Sequence, residues 1–160
     1  MMAMNVSVSA DDYLYFVGRA LGGMDAIVRE LGDARAGERA SLPGANSPYG
    51  LLTHCLGVVE YWAGHLVAGR TIERDRATEF DATGPVDDLL ARSAAVFAQL
   101  RIDVVGSSPA APLRHEPDGW AVGPDRPLTQ GAALLHVYEE LAQHHGQMEI
   151  LHDAVRDSAR

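Results

Sequence analysis

ALLHVYEELAQHHGQMEILHDAV, residues 133–155, is the stretch on which the fold turns. Ala133, Val137, Met148, Leu151 and Val155 recur at three-and-four spacing, which predicts an amphipathic helix from near Thr129 to about residue 156. Glu140, His144 and Gln147 fall inside that apolar stripe, not opposite it. Glu140 and His144 are four apart, so their side chains project side by side. His136, four residues earlier, sits at the edge of the stripe, whereas His145 and His152 point away from it.

The same conflict appears upstream. In SPYGLLTHCLGVVEYWAGHLVAG, residues 47–69, Ser47 caps a helix and Pro48 takes its first position, where the missing N–H costs nothing. The helix should run from 48 to 68 and stop near Gly69. Leu51, Val58 and Trp62 define one face, and His54, Tyr61 and His65 lie in it. Leu52, Leu56, Val59, Ala63 and Val67 form a second apolar face. A helix that is apolar all round is buried all round, so this outer face predicts a homodimer or cover by a long loop.

Two further helices complete the set. Residues 11–31 carry Leu14, Val17, Leu21, Met24, Val28 and Leu31 at helical spacing, capped by Ser9 with Asp12 and followed by Gly32 as a C′ residue. A third helix opens at Gly84-Pro85, with Asp87 and Asp88 complementing its dipole. Its stripe is Val86, Leu89, Val96 and Leu100. Residues 103–128 contain five prolines and no helix. The longest feature expected there is a short hairpin, and the segment is either a mobile crossover or a lid bearing His115 and Trp120. The prediction is an all-α four-helix bundle of one domain, ordered over about 9–157, with a long crossover before the last helix.

Composition narrows function. The 160 residues are 47% hydrophobic and 22% charged, and 13 basic against 22 acidic residues leave −9. That charge argues against nucleic-acid binding and against an anionic membrane surface. Every basic residue is Arg, which excludes a lysine Schiff base and a Walker lysine. A single cysteine, Cys55, excludes an internal disulfide. No run is long enough to span a membrane, and the opening MMAMNVSVSADD lacks the pattern of a signal peptide, which predicts a cytoplasmic protein.

Buried ionisable groups are costly unless paired or metal-bound. His54, Glu140 and His144, brought by two core-facing helices, make a two-His, one-Glu set of the kind that holds a catalytic metal and leaves a position open. The competing reading is an ordinary buried His–Glu hydrogen bond. Gln147 and His136 are candidates to support the ligands, His136 also as a fourth ligand. Tyr61 and His65 are candidates for the pocket. Cys55, rotated away from His54, reads as a small buried hydrophobe. Arg70, Arg74 and Arg76 form the densest basic cluster. They read either as a dock for a thiol cofactor's carboxylates or, preferably, as a solvated face pairing locally with Glu73, Asp75 and Glu79.

Ser47–His54 with Val59–Trp62, and His136–Gln147 ending in His-x-Gly-Gln, resemble the second and last helices of the DinB/YfiT-like superfamily. Arg74–Phe80 resembles the branch containing the metal-binding domain of mycothiol-dependent maleylpyruvate isomerase. The resemblance implies a four-helix bundle with zinc or nickel held by His54, Glu140 and His144. It also implies use of a low-molecular-weight thiol, such as mycothiol, as an S-transferase or isomerase. The other class of function carried forward is a non-catalytic metal- or small-ligand-binding stress protein.

Overall fold

A computed structural model describes residues 6–157. Residues 1–5, part of the segment read for a leader, lie outside the described residues. The elements are α1 (Ala10–Arg35), α2 (Pro48–Val58) continuing without a break into a π-helical segment (Val59–Val67), α3 (Arg76–Glu79), α4 (Val86–Val105) and α5 (Gln130–Asp157). The all-α bundle is therefore observed, and no strand occurs among the described residues. The hairpin expected in the crossover reduces to one antiparallel bridge, Pro112 with Thr129.

Local chemistry sets the helix ends. Ser9 Oγ accepts from the Asp12 amide at 3.0 Å and donates to the Asp12 carboxylate at 2.8 Å. Ser47 Oγ accepts from the Gly50 amide at 3.0 Å. Gly32 has φ 64°, the left-handed value that ends a helix, after which one further turn reaches Arg35. The start of α4 is capped from a distance: the Val86 amide donates to Asp33 at 2.7 Å.

α1 packs on α4 and α5, while the second helix packs on α5 along both its parts and on α4. α4 and α5 make no close backbone approach to each other. The second helix therefore runs between them with neighbours on every side. Leu52, Leu56, Val59, Ala63 and Val67 are all at most 2% exposed within one chain. This corrects the expected homodimer through that face: the bundle itself covers the face, leaving no apolar surface there for a second copy.

Between the second helix and α4, residues 70–80 lie along a groove of glycines. Gly50 and Gly57 are seven apart and so share one side of α2, and Gly64 in the π-helical part also meets residues 70–80. A Cβ on Gly50 would press on the Phe80 carbonyl, one on Gly57 on the Glu79 carboxylate, and one on Gly64 on the Arg70 guanidinium. The absence of side chains lets this charged segment sit against the helix backbone.

The crossover before α5 is pinned at several points. The Arg114 amide donates to the Leu66 carbonyl at 2.7 Å, and the Asp118 amide to the Tyr61 hydroxyl at 2.8 Å. Gln130 bonds the Ser108 amide and the Pro112 carbonyl. No helix is long and apolar enough to cross a membrane among the described residues.

Candidate metal centre

α2 delivers His54 and α5 delivers Glu140 and His144 to one point. One donor atom from each lies within 4.8 Å of the others. His54 Nε2 and His144 Nε2 stand 3.6 and 3.5 Å from the same Glu140 oxygen. These separations exceed the 2.7–3.2 Å of an N–H···O bond. They match the edge of a tetrahedron about 3.3 Å long that donors at about 2.05 Å from a zinc ion would form.

The outer nitrogens are already engaged. His54 Nδ1 is 2.7 Å from Glu79 Oε2, and His144 Nδ1 is 2.9 Å from Gln147 Oε1. An acceptor at each Nδ1 places the ring proton there and turns the Nε2 lone pair inward, the arrangement of metal-ligating histidines. Two lone pairs and a carboxylate then converge on one space, which asks for a cation. The charge balance points the same way. Burial lowers the proton affinity of His54, but the facing Glu140 carboxylate and the bond to Glu79 more than reverse this and raise its pKa. The His144 imidazole, and then that of His54, facing its carboxylate hold the Glu140 carboxyl far below the ordinary carboxylate range.

The sequence predicts Glu79 on a solvated face, yet it is 7% exposed. It accepts from Arg74 Nε at 2.6 Å and Nη2 at 2.9 Å as well as facing His54. Burial alone would raise its pKa; the bonds from His54 and Arg74 outweigh that and lower it. The local pairing of Arg74 with Glu79 was legible, but its burial was not. The signal that would have found it is the row of glycines at 50, 57 and 64, which marks a helix side kept clear for another segment. Phe80 completes this support, stacking on the His54 ring with centroids 4.4 Å apart.

The other candidates separate. Gln147 bonds His144, as described. His136 does not join the triad: its Nδ1 faces Glu139 at 3.2 Å and its ring meets Trp62 edge-on at 4.6 Å. Its Nε2 is buried without a hydrogen-bond partner. Tyr61 turns to the crossover, donating to Asp118 at 2.8 Å. His65 faces the Arg70 carbonyl and stacks on His115 at 4.3 Å. Both were expected on the His54 face. The π-helical winding of residues 59–67 takes more residues per turn than an α-helix, which shifts Tyr61 and His65 off the predicted face while Trp62 still lines the cavity. His145 and His152 lie against α1, near Gly23 and Glu30.

The three arginines also part. Arg70 is committed to Asp103, at 2.8 Å, away from the triad. Arg74 is bound by Glu79. Arg76 alone of the three is not ion-paired among the described residues, and its guanidinium lies over the Phe80 ring at 5.7 Å. Cys55 is fully buried, and burial pushes its thiol well above the ordinary range. A cavity of about 30 Å³ adjoins the triad, lined by His54, Val58, Trp62, Arg74, Arg76, Val122 and Glu140. It is large enough for an ion or a water. Val122 brings the crossover to its wall.

No curated protein matches the chain. The chain does match the family described as Mycothiol-S-transferase over residues 14–157. That match runs from within α1 to the end of α5 and includes every residue of the triad, and the chain belongs to the mycothiol-S-transferase family.

Proposed function

We propose that this protein is a divalent-metal-dependent S-transferase that joins the sulfur of mycothiol to a small electrophile. The observation that carries the reading is the convergence of His54 Nε2, His144 Nε2 and Glu140 on one cation-sized space, with both Nδ1 atoms engaged. Zinc and nickel both suit two imidazoles and a carboxylate. Such a cation supplies the positive charge that keeps a thiol ionised at neutral pH, where a free thiol of pKa about 8.5 is mostly protonated.

The chain's own groups do the rest. Glu79 and Gln147 hold the two imidazoles in register. Arg74 keeps Glu79 ionised and in place. Val58 and Trp62 give the cavity an apolar wall that excludes water from the reacting sulfur. Val122 of the crossover completes the cavity wall. Three ligands, with His136 engaged elsewhere, favour an open catalytic site over a closed structural one. This supports transfer over the non-catalytic metal-binding reading. Use of a reduced small thiol fits a cytoplasmic setting.

The test is metal content of protein purified without a histidine tag, beside a His54→Ala/His144→Ala variant, followed by conjugation of mycothiol to a model electrophile. About one zinc or nickel per chain, lost in the variant together with the conjugation rate above background, is the expected result. A wild-type protein that neither retains nor takes up metal, or that loads metal without accelerating conjugation, would overturn the proposal.

A further inference from the structure

We infer that Arg76 selects the second substrate, by holding the anionic group of a carboxylate-bearing electrophile beside the triad. This rests on the transferase reading above and names the substrate class for it.

The argument begins with the arginines. Arg74 is consumed by a bidentate bond to Glu79. Arg76 has no carboxylate partner among the described residues, yet it lines the cavity with His54 and Glu140. It opens α3, capped by Asp75, and its guanidinium lies over Phe80, the ring that stacks on His54. The planar fork of arginine is suited to a carboxylate, which it binds through two parallel N–H···O bonds.

Charge balance shows what is missing. A divalent cation brings two positive charges and Arg74 a third. Glu140, Glu79 and one thiolate cancel those three. Arg76 remains, half-buried at the cavity wall and without a carboxylate partner among the described residues, with its fork free for an anion. Mycothiol, an N-acetylcysteine amide of an amino sugar, carries no carboxylate to meet it. The matching anion therefore belongs to the electrophile.

Iodoacetate and iodoacetamide test this, because they differ in charge and hardly in size. In both, the thiol proton passes to solvent, a sulfur–carbon bond forms, the carbon–iodine bond breaks and iodide leaves. The measurement is kcat/KM of the metal-loaded full chain with mycothiol and each reagent, each divided by its uncatalysed rate. Wild type should favour iodoacetate. In Arg76→Gln that preference should fall about ten-fold, the scale of one charge-assisted hydrogen bond, and Arg76→Lys should keep part of it. A second readout needs no turnover: calorimetric affinity for S-carboxymethyl and S-carbamoylmethyl mycothiol. Arg76→Gln should lose about ten-fold in its preference for the carboxylate product, with metal content equal to wild type. An unchanged reagent ratio and an unchanged product preference would overturn the assignment while leaving the transferase reading intact. If neither reagent is conjugated above background, the transferase reading fails, and the product affinities alone decide the role of Arg76.

Discussion

Replacing Glu79 by Gln asks whether the buried carboxylate behind His54 is part of the metal centre or merely part of the core. Glutamine keeps the shape, but it loses the charge and one of two acceptor oxygens. It cannot accept from His54 Nδ1 and also serve Arg74 at both 2.6 and 2.9 Å. The Arg74 side chain is 6% exposed and would be left with a weakened partner. Breaking a buried ion pair costs about 3–5 kcal/mol. Because glutamine retains one bond, the lower end applies, about 3 kcal/mol, or a midpoint lower by about 6–12 °C for a chain of this size. Groups that orient a ligating histidine are worth about 10–100-fold in metal affinity.

Competition for zinc against a chromophoric chelator measures that second effect. Leu100→Ala provides the control. It opens a hole in α4, which carries none of the triad, and costs about 2–5 kcal/mol. Loss of stability in both variants, with weakened zinc binding only in Glu79→Gln, is the expected pattern. Zinc affinity within two-fold of wild type in Glu79→Gln would refute the reasoning, because Glu79 would then be supporting the fold alone. The pH dependence has a definite sign. A carboxyl whose folded pKa is lowered stabilises above its unfolded value and loses that contribution as pH falls through the folded one. The midpoint gap between metal-free wild type and Glu79→Gln should therefore narrow as pH drops below 4.5.

Three other outcomes follow from burial and bonding. Cys55 should react with a thiol reagent only after denaturation, and Cys55→Ala should keep metal and conjugation. Labelling of the native protein would show that the core opens at α2. Leu56→Ala should cost about 2–5 kcal/mol, with a thermal midpoint independent of protein concentration. A midpoint that rises with concentration would bring back an interface on this helix. Tyr61→Phe removes both hydrogen bonds to Asp118. It should make residues 114–125 more sensitive to protease while costing about 1–2 kcal/mol. An unchanged cleavage rate would mean that other contacts hold the crossover.

Local periodicity and capping dictate a large part of this molecule. The four long helices follow from apolar spacing and from Ser9, Ser47 and Gly32, all of which act within a few residues. The neighbourhood of Glu140 and His144 was equally legible, because residues four apart on a helix meet whatever surrounds them. His54 could be added because it broke the apolar face of another core helix. The tertiary structure alone decided the rest. Arg74 and Glu79 read as surface charge because nothing within ten residues buries them; the glycine groove of a helix some 20 residues away does. Tyr61 and His65 left the predicted face because the π-helical winding changes the angle per residue, which an α-helical wheel does not contain. The outer face of the second helix needed no partner because α4, far along the chain, returns to cover it. Each of these depends on which distant segments share a surface, and a pattern of neighbours along the chain carries no record of that.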